Sequence, residues 1–370
     1  MNILFITRKF PPVKGGMEKV AFDLYTHMLT ISKVRLISYG GSSKFLPIVL
    51  PSFFARAAWN ILTHKTDVVY LQDGLLSPLG VMLKIFGKPI AITIHGLDIT
   101  YENHFYQYII PKCVKKLDKI ICISNATEEE CIKRGIPREK ITIIPNGISD
   151  EFYVNENKTV LKEQLANKIN FSFNDKKILL SVGRLVERKG FHWFVKNVIS
   201  GLLEKQSELV YIIVGDGKYR KEIETIIAER GLQSYVKLLG SMDGETLKLL
   251  YNTCDIFIMP NIPVKGDIEG FGIVAIEAAS CGVPVVASEL EGIKDAIVNE
   301  KNGFLIEPYN AYDFNNIIFR LLDNDYKKEM FGKKSRRFTL ENYNWRRIIE
   351  IYLRTFKQSL KCKNDGLEGY

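Results

Sequence analysis

Two glutamates, Glu269 and Glu277, bracket the stretch of this chain that holds the most chemistry. Gly270, Phe271 and Gly272 form a glycine-flanked loop, and Ile273 and Val274 open a run of small residues with helical character. Gly282 stands where a left-handed helix stop is expected, and residues 283–287 resume as a buried strand pattern. The first N–H groups of that helix, over 272–274, lack intrahelical partners and carry the positive end of its dipole. Glycines let a phosphate approach such an end closely. A carboxylate repels phosphate but accepts two hydrogen bonds from sugar hydroxyls, as the ribose-binding acids of dinucleotide folds do. The chemistry implied is a phosphate flanked by two sugars, the make-up of a nucleotide-sugar. The plainer alternative is an ordinary α/β loop with two solvated acids.

Other residues point the same way. Arg184 and Lys189 flank the loop GRLVERKG at the carboxyl end of an apolar run. Placed there, two cations would stabilise a departing diphosphate by charge-assisted contacts, although loop cations are more often simply solvated. His95 ends the apolar run IAITI and precedes Gly96 and Asp98. A strand-end histidine is commonly a hydrogen-bonded structural residue, and a sheet's carboxyl edge is also where catalytic groups sit. Gly215, Asp216 and Gly217 form a tight turn after another apolar run, and Ser241 and Met242 follow a further strand end. Near the N-terminus, Gly15 and Gly16 lie between a strand pattern and an amphipathic helix pattern, a phosphate-approach arrangement that is weak alone. No metal site is expected: the D-x-D at Asp323 and Asp325 follows a late helix pattern, where capping explains it.

These residues need sheet edges to carry them. Strand-like runs at 2–7, 34–40, 67–73, 90–96, 119–124 and 140–145 alternate with helical patterns. One of those helices, 126–134, is expected to be capped by Asn125 and Glu128 and stopped at Gly135. A second alternating series occupies 177–184, 209–217, 235–240, 255–261, 284–288 and 303–308. Such alternation implies parallel sheets covered on both faces, and 370 residues are too many for one typical core. The fold class is α/β, with two doubly wound Rossmann-like domains expected to face a central cleft. The expected division is residues 1–150, a polar interdomain connection at 151–175, a second domain at 176–341, and a basic amphipathic helix from 342 into a frayed tail after Lys361. Residues 45–62 are apolar but broken by Pro47, Pro51 and Arg56; a core helix and a segment dipping into lipid headgroups both fit them.

Composition bounds the class. With 46% hydrophobic and 25% charged residues the chain reads as globular. No apolar run reaches the roughly 18–20 residues a membrane span needs, and Arg8 and Lys9 cut short any signal-like start. The six cysteines include no C-x-x-C pair, as expected of reduced thiols in a cytoplasmic protein. A net charge of +9 suits an anionic partner. Nucleic acid is not expected, because the only dense basic run, KKSRR at 333–337, lacks interleaved aromatics.

The stretch EGFGIVAIEAASCGVPVVAS closely resembles the signature of glycosyltransferase family 4, and G-R-x-x-x-x-K-G at 183–190 resembles the same family's phosphate motif. The resemblance covers nearly the whole chain and is sharpest in its second half. It implies the GT-B fold of group 1 glycosyltransferases, a nucleotide-sugar donor, and transfer of a hexose-type sugar with retention, as in polysaccharide biosynthesis. It assigns His95 to the transferred sugar, Arg184 and Lys189 to the diphosphate, Glu269 to sugar hydroxyls and Glu277 to ribose. It sets Gly15 and Gly16 beside the diphosphate and acceptor, Asp98 where it orients the His95 loop or meets the acceptor, and Gly215, Asp216, Ser241 and Met242 near the nucleotide. It requires no cofactor beyond the donor, GDP-mannose or a UDP-sugar. Asp267 and Ile268 ahead of the signature resemble a mannosyltransferase branch with lipid acceptors, so a glycan or lipid-linked acceptor and a peripheral place on the inner membrane face are expected. The competing enzyme class is a hydrolase or epimerase of UDP-sugars on the same fold.

Overall fold

The computed structural model describes residues 1–13, 15–41, 45–154, 156–173 and 176–365. The chain divides into two compact units. The first comprises Met1–Gly147, the short segment Gly266–Phe271 and the described residues from Tyr343 on; the second comprises Ile148–Lys265 and Gly272–Asn342. Each is built on a six-stranded sheet.

In the first unit the strands are β1 (Asn2–Thr7), β2 (Lys33–Ser38), β3 (Val68–Leu71), β4 (Ile90–Ile94), β5 (Lys119–Cys122) and β6 (Ile141–Ile143). They pair in parallel in the order β2-β1-β3-β4-β5-β6. The central strands are apolar throughout because both faces are covered, which is why they read as runs rather than alternations. Helices Leu46–Thr63, Ser77–Leu83 and His104–Lys115 cover one face around a shared core that includes Phe53, Leu79 and Val114. The β1-to-β2 connection runs the opposite way along the sheet, so its helix, Gly16–Leu29, falls on the other face. The terminal helix, Trp345–Asp365, packs beside it and sets Tyr352 and Phe356 against Tyr70 at ring distances of 5.8 and 5.4 Å.

Helix Leu46–Thr63 answers the core-helix alternative for 45–62 with one of its faces. Phe53, Ala57 and Ile61 recur every fourth residue and lie in the core, while Ile48, Trp59 and Leu62 face outward. The cap expected at Asn125 is one residue earlier: the Ser124 hydroxyl accepts the Thr127 N–H at 3.1 Å. Gly135 takes the expected left-handed conformation just beyond the helix end.

The second unit contains β7 (Lys177–Val182), β8 (Leu209–Val214), β9 (Val236–Gly240), β10 (Ile256–Met259), β11 (Val285–Ser288) and β12 (Phe304–Ile306), in the order β12-β11-β10-β7-β8-β9. The expected polar connection at 151–175 is largely part of this unit. It carries a helix, Lys158–Ile169, started by the Asn157 side chain and ended by Asn170 in a left-handed conformation. Leu161 and Leu165 are its only buried side chains, and they seat it on helix Gly244–Thr253. Residues 155, 174 and 175 of that stretch lie outside the described residues, as do residues 366–370 of the tail expected to fray. The terminal helix itself continues past Lys361 to Asp365.

A buried ion cluster ties the amino ends of β7 and β10 to their surroundings. Asp255 accepts the Ile178 N–H at 2.8 Å and pairs with Lys158 and Lys328, each at 2.9 Å. Lys328 in turn pairs with Asp325, which also holds Lys177.

Candidate active site

The strand order of the first unit reverses between β1 and β3, the point at whose carboxyl edge open α/β sheets place their ligands. Arg8 follows β1 and Asp73 lies just beyond β3; the Arg8 guanidinium meets the fully buried Asp73 carboxylate at 2.8 Å. Gly15 precedes helix Gly16–Leu29, and open space surrounds the position a side chain on Gly16 would take. The buried Glu18 carboxylate, paired with Lys9 at 2.9 Å, lies against Gly15. Lys14 is outside the described residues.

His95 extends from the end of β4 into this edge. Its Nε2 is 2.7 Å from the Gln72 carbonyl oxygen. A carbonyl can only accept, so Nε2 carries a hydrogen, and in the neutral tautomer this leaves Nδ1 as the acceptor. Asp98 staples two turns together: one carboxylate oxygen accepts the His95 N–H at 2.8 Å and the other the Gly74 N–H at 2.9 Å. Burial, reinforced by the Asp73 charge and opposed by His95, raises the Asp98 pKa above its ordinary value. Asp98 is thus a positioning group for the His95 turn.

The segment 266–271 joins this edge, in contrast to the expected boundary that kept the whole signature within 176–341. A Cβ on Gly270 would collide with the His95 carbonyl oxygen, and the Gly270 Cα lies 3.3 Å from where a Cβ on Gly96 would stand. Backbone contact of that closeness needs glycine and explains why six residues leave the second unit. It carries the buried Glu269 to the His95 turn, while Phe271 packs on Tyr343 at a ring distance of 6.0 Å.

In the second unit the order reverses between β7 and β10. The loop after β7 holds Arg184, which is exposed, and Lys189, which is buried with its stem along Gly183. The turn at Gly215, Asp216 and Gly217 is stacked on that loop: the Leu185 N–H donates to the Asp216 carbonyl at 2.9 Å. Gly215 has φ 133°, and a Cβ there would strike the Gly183 carbonyl oxygen, so its glycine is required by the loop beneath it. The Asp216 carboxylate accepts the Gly217 N–H at 2.8 Å within the same turn. Ser241, exposed, and Met242, half-buried, follow β9.

Gly272 takes the left-handed conformation at the start of helix Ile273–Ser280, with Ile273 and Val274 in its first turn. Glu277 is buried inside that helix and accepts the Tyr251 hydroxyl hydrogen at 2.8 Å. Burial first, and the Glu277 charge second, push the Tyr251 phenol well above its ordinary pKa, so it remains a donor that orients the carboxylate. Arg336 braces the same helix: it donates to the Ser280 carbonyl at 2.7 Å and to both Asp150 carboxylate oxygens.

The structure therefore groups Gly15, Gly16, His95, Asp98, Glu269, Gly270 and Phe271 in the first unit. It groups Arg184, Lys189, Gly215, Asp216, Ser241, Met242, Gly272, Ile273, Val274 and Glu277 in the second. Arg8, Gln72, Asp73, Glu18 and Tyr251 were not singled out from sequence. The first three sit one to two residues past apolar strand runs, a signal that could have found them; nothing local marks Tyr251.

Comparison with known proteins agrees with this architecture. Residues 14–152 match the family model for Glycosyltransferase Family 4, and residues 162–338 match that for Glycosyl transferases group 1. An uncharacterized glycosyltransferase of Methanocaldococcus jannaschii is 29% identical over 315 residues, covering 80% of this chain and 76% of that protein. A GDP-mannose-dependent alpha-(1-6)-phosphatidylinositol monomannoside mannosyltransferase of Mycolicibacterium smegmatis is 22% identical over 93% of this chain and 95% of its own length. Among solved structures, Anabaena HepE in complex with UDP superposes with a TM-score of 0.79 at 21% identity, covering 97% of this chain and all of that one. The two family matches, successive along the chain and laid on two parallel Rossmann-like sheets, make this protein a member of glycosyltransferase family 4, a glycosyltransferase of the GT-B fold.

Proposed function

We propose that the enzyme transfers a hexose-type sugar from a nucleoside diphosphate donor, GDP-mannose or a UDP-sugar, to a glycan or lipid-linked acceptor with retention of anomeric configuration. The observation that carries this reading is the cationic loop after β7. It stands at the strand-order reversal, with Lys189 buried along Gly183 and Arg184 beside it. Buried or half-buried cations stabilise a leaving diphosphate more than solvated ones do. Glu277, oriented by Tyr251, takes the ribose hydroxyls. His95 and Glu269 serve the transferred sugar, His95 through its Nδ1 acceptor and Glu269 through hydroxyl contacts.

Retention on this reading proceeds on one face of the sugar. The glycosidic bond to the diphosphate breaks as the acceptor oxygen approaches, and the departing diphosphate takes the acceptor's proton. Asp98 serves this step by position, holding the His95 and Gly74 turns through their backbone N–H groups. The diphosphate charge is offset by Arg184, Lys189 and the N–H groups at the start of helix Ile273–Ser280, so no metal is required. Support for a nucleotide-sugar comes from related proteins, of which one is named for GDP-mannose and another is solved with UDP. Support for a lipid-linked acceptor comes from the phosphatidylinositol mannoside in the first. Among the described residues no helix is long and apolar enough to cross a membrane.

The test is release of nucleoside diphosphate from a panel of UDP-sugars and GDP-mannose, with and without glycan and lipid-linked acceptors, followed by NMR of the product's anomeric centre. Acceptor-dependent release and an unchanged anomeric configuration are expected, with full activity after metal stripping and in excess EDTA. Acceptor-independent release would indicate a hydrolase, and an inverted product would refute retention.

A further inference from the structure

The outward side of one helix layer has a composition that the transfer reaction does not use. Helices Leu46–Thr63, Ser77–Leu83 and His104–Lys115 lie side by side over one face of the first sheet. A chain with 42 Asp and Glu places none of them in these three helices. It also has no carboxylate at all between Asp23 and Asp67. By contrast, helix Gly16–Leu29 on the opposite face carries Glu18 and Asp23.

Large apolar side chains stand outward on this acid-free layer. Ile48, Trp59, Leu62, Phe105 and Tyr108, with Ile85 in the turn Lys84–Phe86 just past the second helix, are each at least 65% exposed. Single exposed apolar residues are ordinary, but a set of this size on adjoining helices marks a surface that meets something. Interspersed with them are cations: Arg56 is exposed one turn before Trp59, and the Lys112 ammonium lies 3.4 Å from the centre of the Tyr108 ring. Lys115 and Lys116 continue the exposed stripe below Lys112.

Apolar and aromatic side chains mixed with Lys and Arg, and no acid, match an anionic lipid–water boundary. The rings and aliphatic chains enter the acyl edge while the cations meet phosphates. A second copy of the chain fits less well, because a two-fold contact through this face would set positive charge against positive charge.

We propose that this three-helix face docks on an anionic membrane surface. The proposal supplies a surface for the lipid-linked acceptor reading above and rests on that reading for its purpose. Each helix of the layer begins where its strand ends, so Ile48 and Phe105, both in first turns, lie toward the carboxyl edge that carries His95. Docking by this face therefore lays that edge, at the Ile48 and Phe105 end, beside the headgroups together with the Trp59 and Leu62 end.

The measurement is sedimentation of the full chain with vesicles of neutral phosphatidylcholine and of phosphatidylcholine mixed with phosphatidylglycerol, at low and raised salt. Wild type is expected to bind the anionic vesicles at low salt, with little binding to neutral ones. Trp59→Ser/Leu62→Ser and Arg56→Gln/Lys112→Gln should each weaken it roughly tenfold or more. These positions are exposed, and retained stabilisation by nucleoside diphosphate would show that the variants fold. Absent binding, or equal binding by wild type and both variants, would overturn the proposal. So would loss of a dimer in Trp59→Ser/Leu62→Ser without vesicle binding by wild type, which would assign the face to a second copy. Vesicle binding with no transfer to any lipid-linked acceptor would leave the docking face standing and remove the acceptor reading; transfer to a detergent-dispersed lipid acceptor without vesicle binding would do the reverse.

Discussion

Asp98 illustrates a role that its residue type does not announce. It is buried, its carboxylate caps two backbone N–H groups from different turns, and its raised pKa records the cost of keeping a charge there. Replacing it with asparagine puts an amide N–H₂ against one of those N–H donors, a loss of about 1–3 kcal/mol. Asp98→Asn should lower the melting temperature and, by shifting the His95 turn, reduce turnover by roughly ten- to a hundredfold. Wild-type turnover in a destabilised Asp98→Asn protein would separate the staple from catalysis. Arg184 and Lys189 differ in a way the GRLVERKG motif does not reveal, since only Lys189 is buried. Charge in a less watery setting acts more strongly, so Lys189→Ala should cost about 100-fold or more in turnover. Arg184→Ala should cost less, with a loss that shrinks further at high salt. Steady-state rates at two ionic strengths check both, and equal, salt-independent losses would contradict the distinction.

Whole elements were legible where they were long or buried. The central strands announce themselves as apolar runs, because parallel strands covered on both faces have no polar side to hide. Helix Lys158–Ile169 was not legible, because only Leu161 and Leu165 are buried and the rest of its surface is solvated. Its asparagine caps at 157 and 170 were the available signal. The basic run KKSRR is only partly the solvated surface it resembles: Ser335 is buried, and Arg336 ties Asp150 to the signature helix. The ion cluster at Asp255 could not be read either, since its members lie far apart in sequence. Burial works against the Asp255 charge, but Lys158 and Lys328 more than offset it and hold its carboxyl well below the usual range. An acid whose folded pKa is depressed stabilises the fold above its unfolded pKa of about 4 and loses that contribution as pH falls below it. Stability should therefore drop on acidification below about pH 4, and Asp255→Asn should flatten that dependence. At neutral pH the same variant removes one of the two carboxylate partners of Lys328 and leaves Asp325 as the other, and should cost about 1–3 kcal/mol. Denaturant titrations across pH measure both, and an unchanged acid slope in Asp255→Asn would place the titrating groups elsewhere.

At the scale of the molecule, the motifs of the candidate site do not reveal how it divides between the units. The signature E-x7-E reads as one continuous stretch, yet Glu269 belongs to the first unit and Glu277 to the second. The reason is the contact of Gly270 with the His95 turn, a tertiary approach with no local trace beyond the glycine itself. The outward-facing half of helix Leu46–Thr63 was equally hidden: its apolar composition is shared by core and surface, and only the fold assigns Phe53 to one and Trp59 to the other. On the proposed function, the second unit holds the nucleoside diphosphate of the donor, with Glu277 on the ribose. Calorimetric titration of UDP and GDP into wild type and Glu277→Ala tests it most directly. One of the two nucleotides should bind wild type, and the variant should bind it more weakly by about 1–3 kcal/mol, the cost of leaving buried hydroxyl partners unmatched. Unchanged affinity in a folded Glu277→Ala protein, or no binding of either nucleotide to wild type, would contradict it.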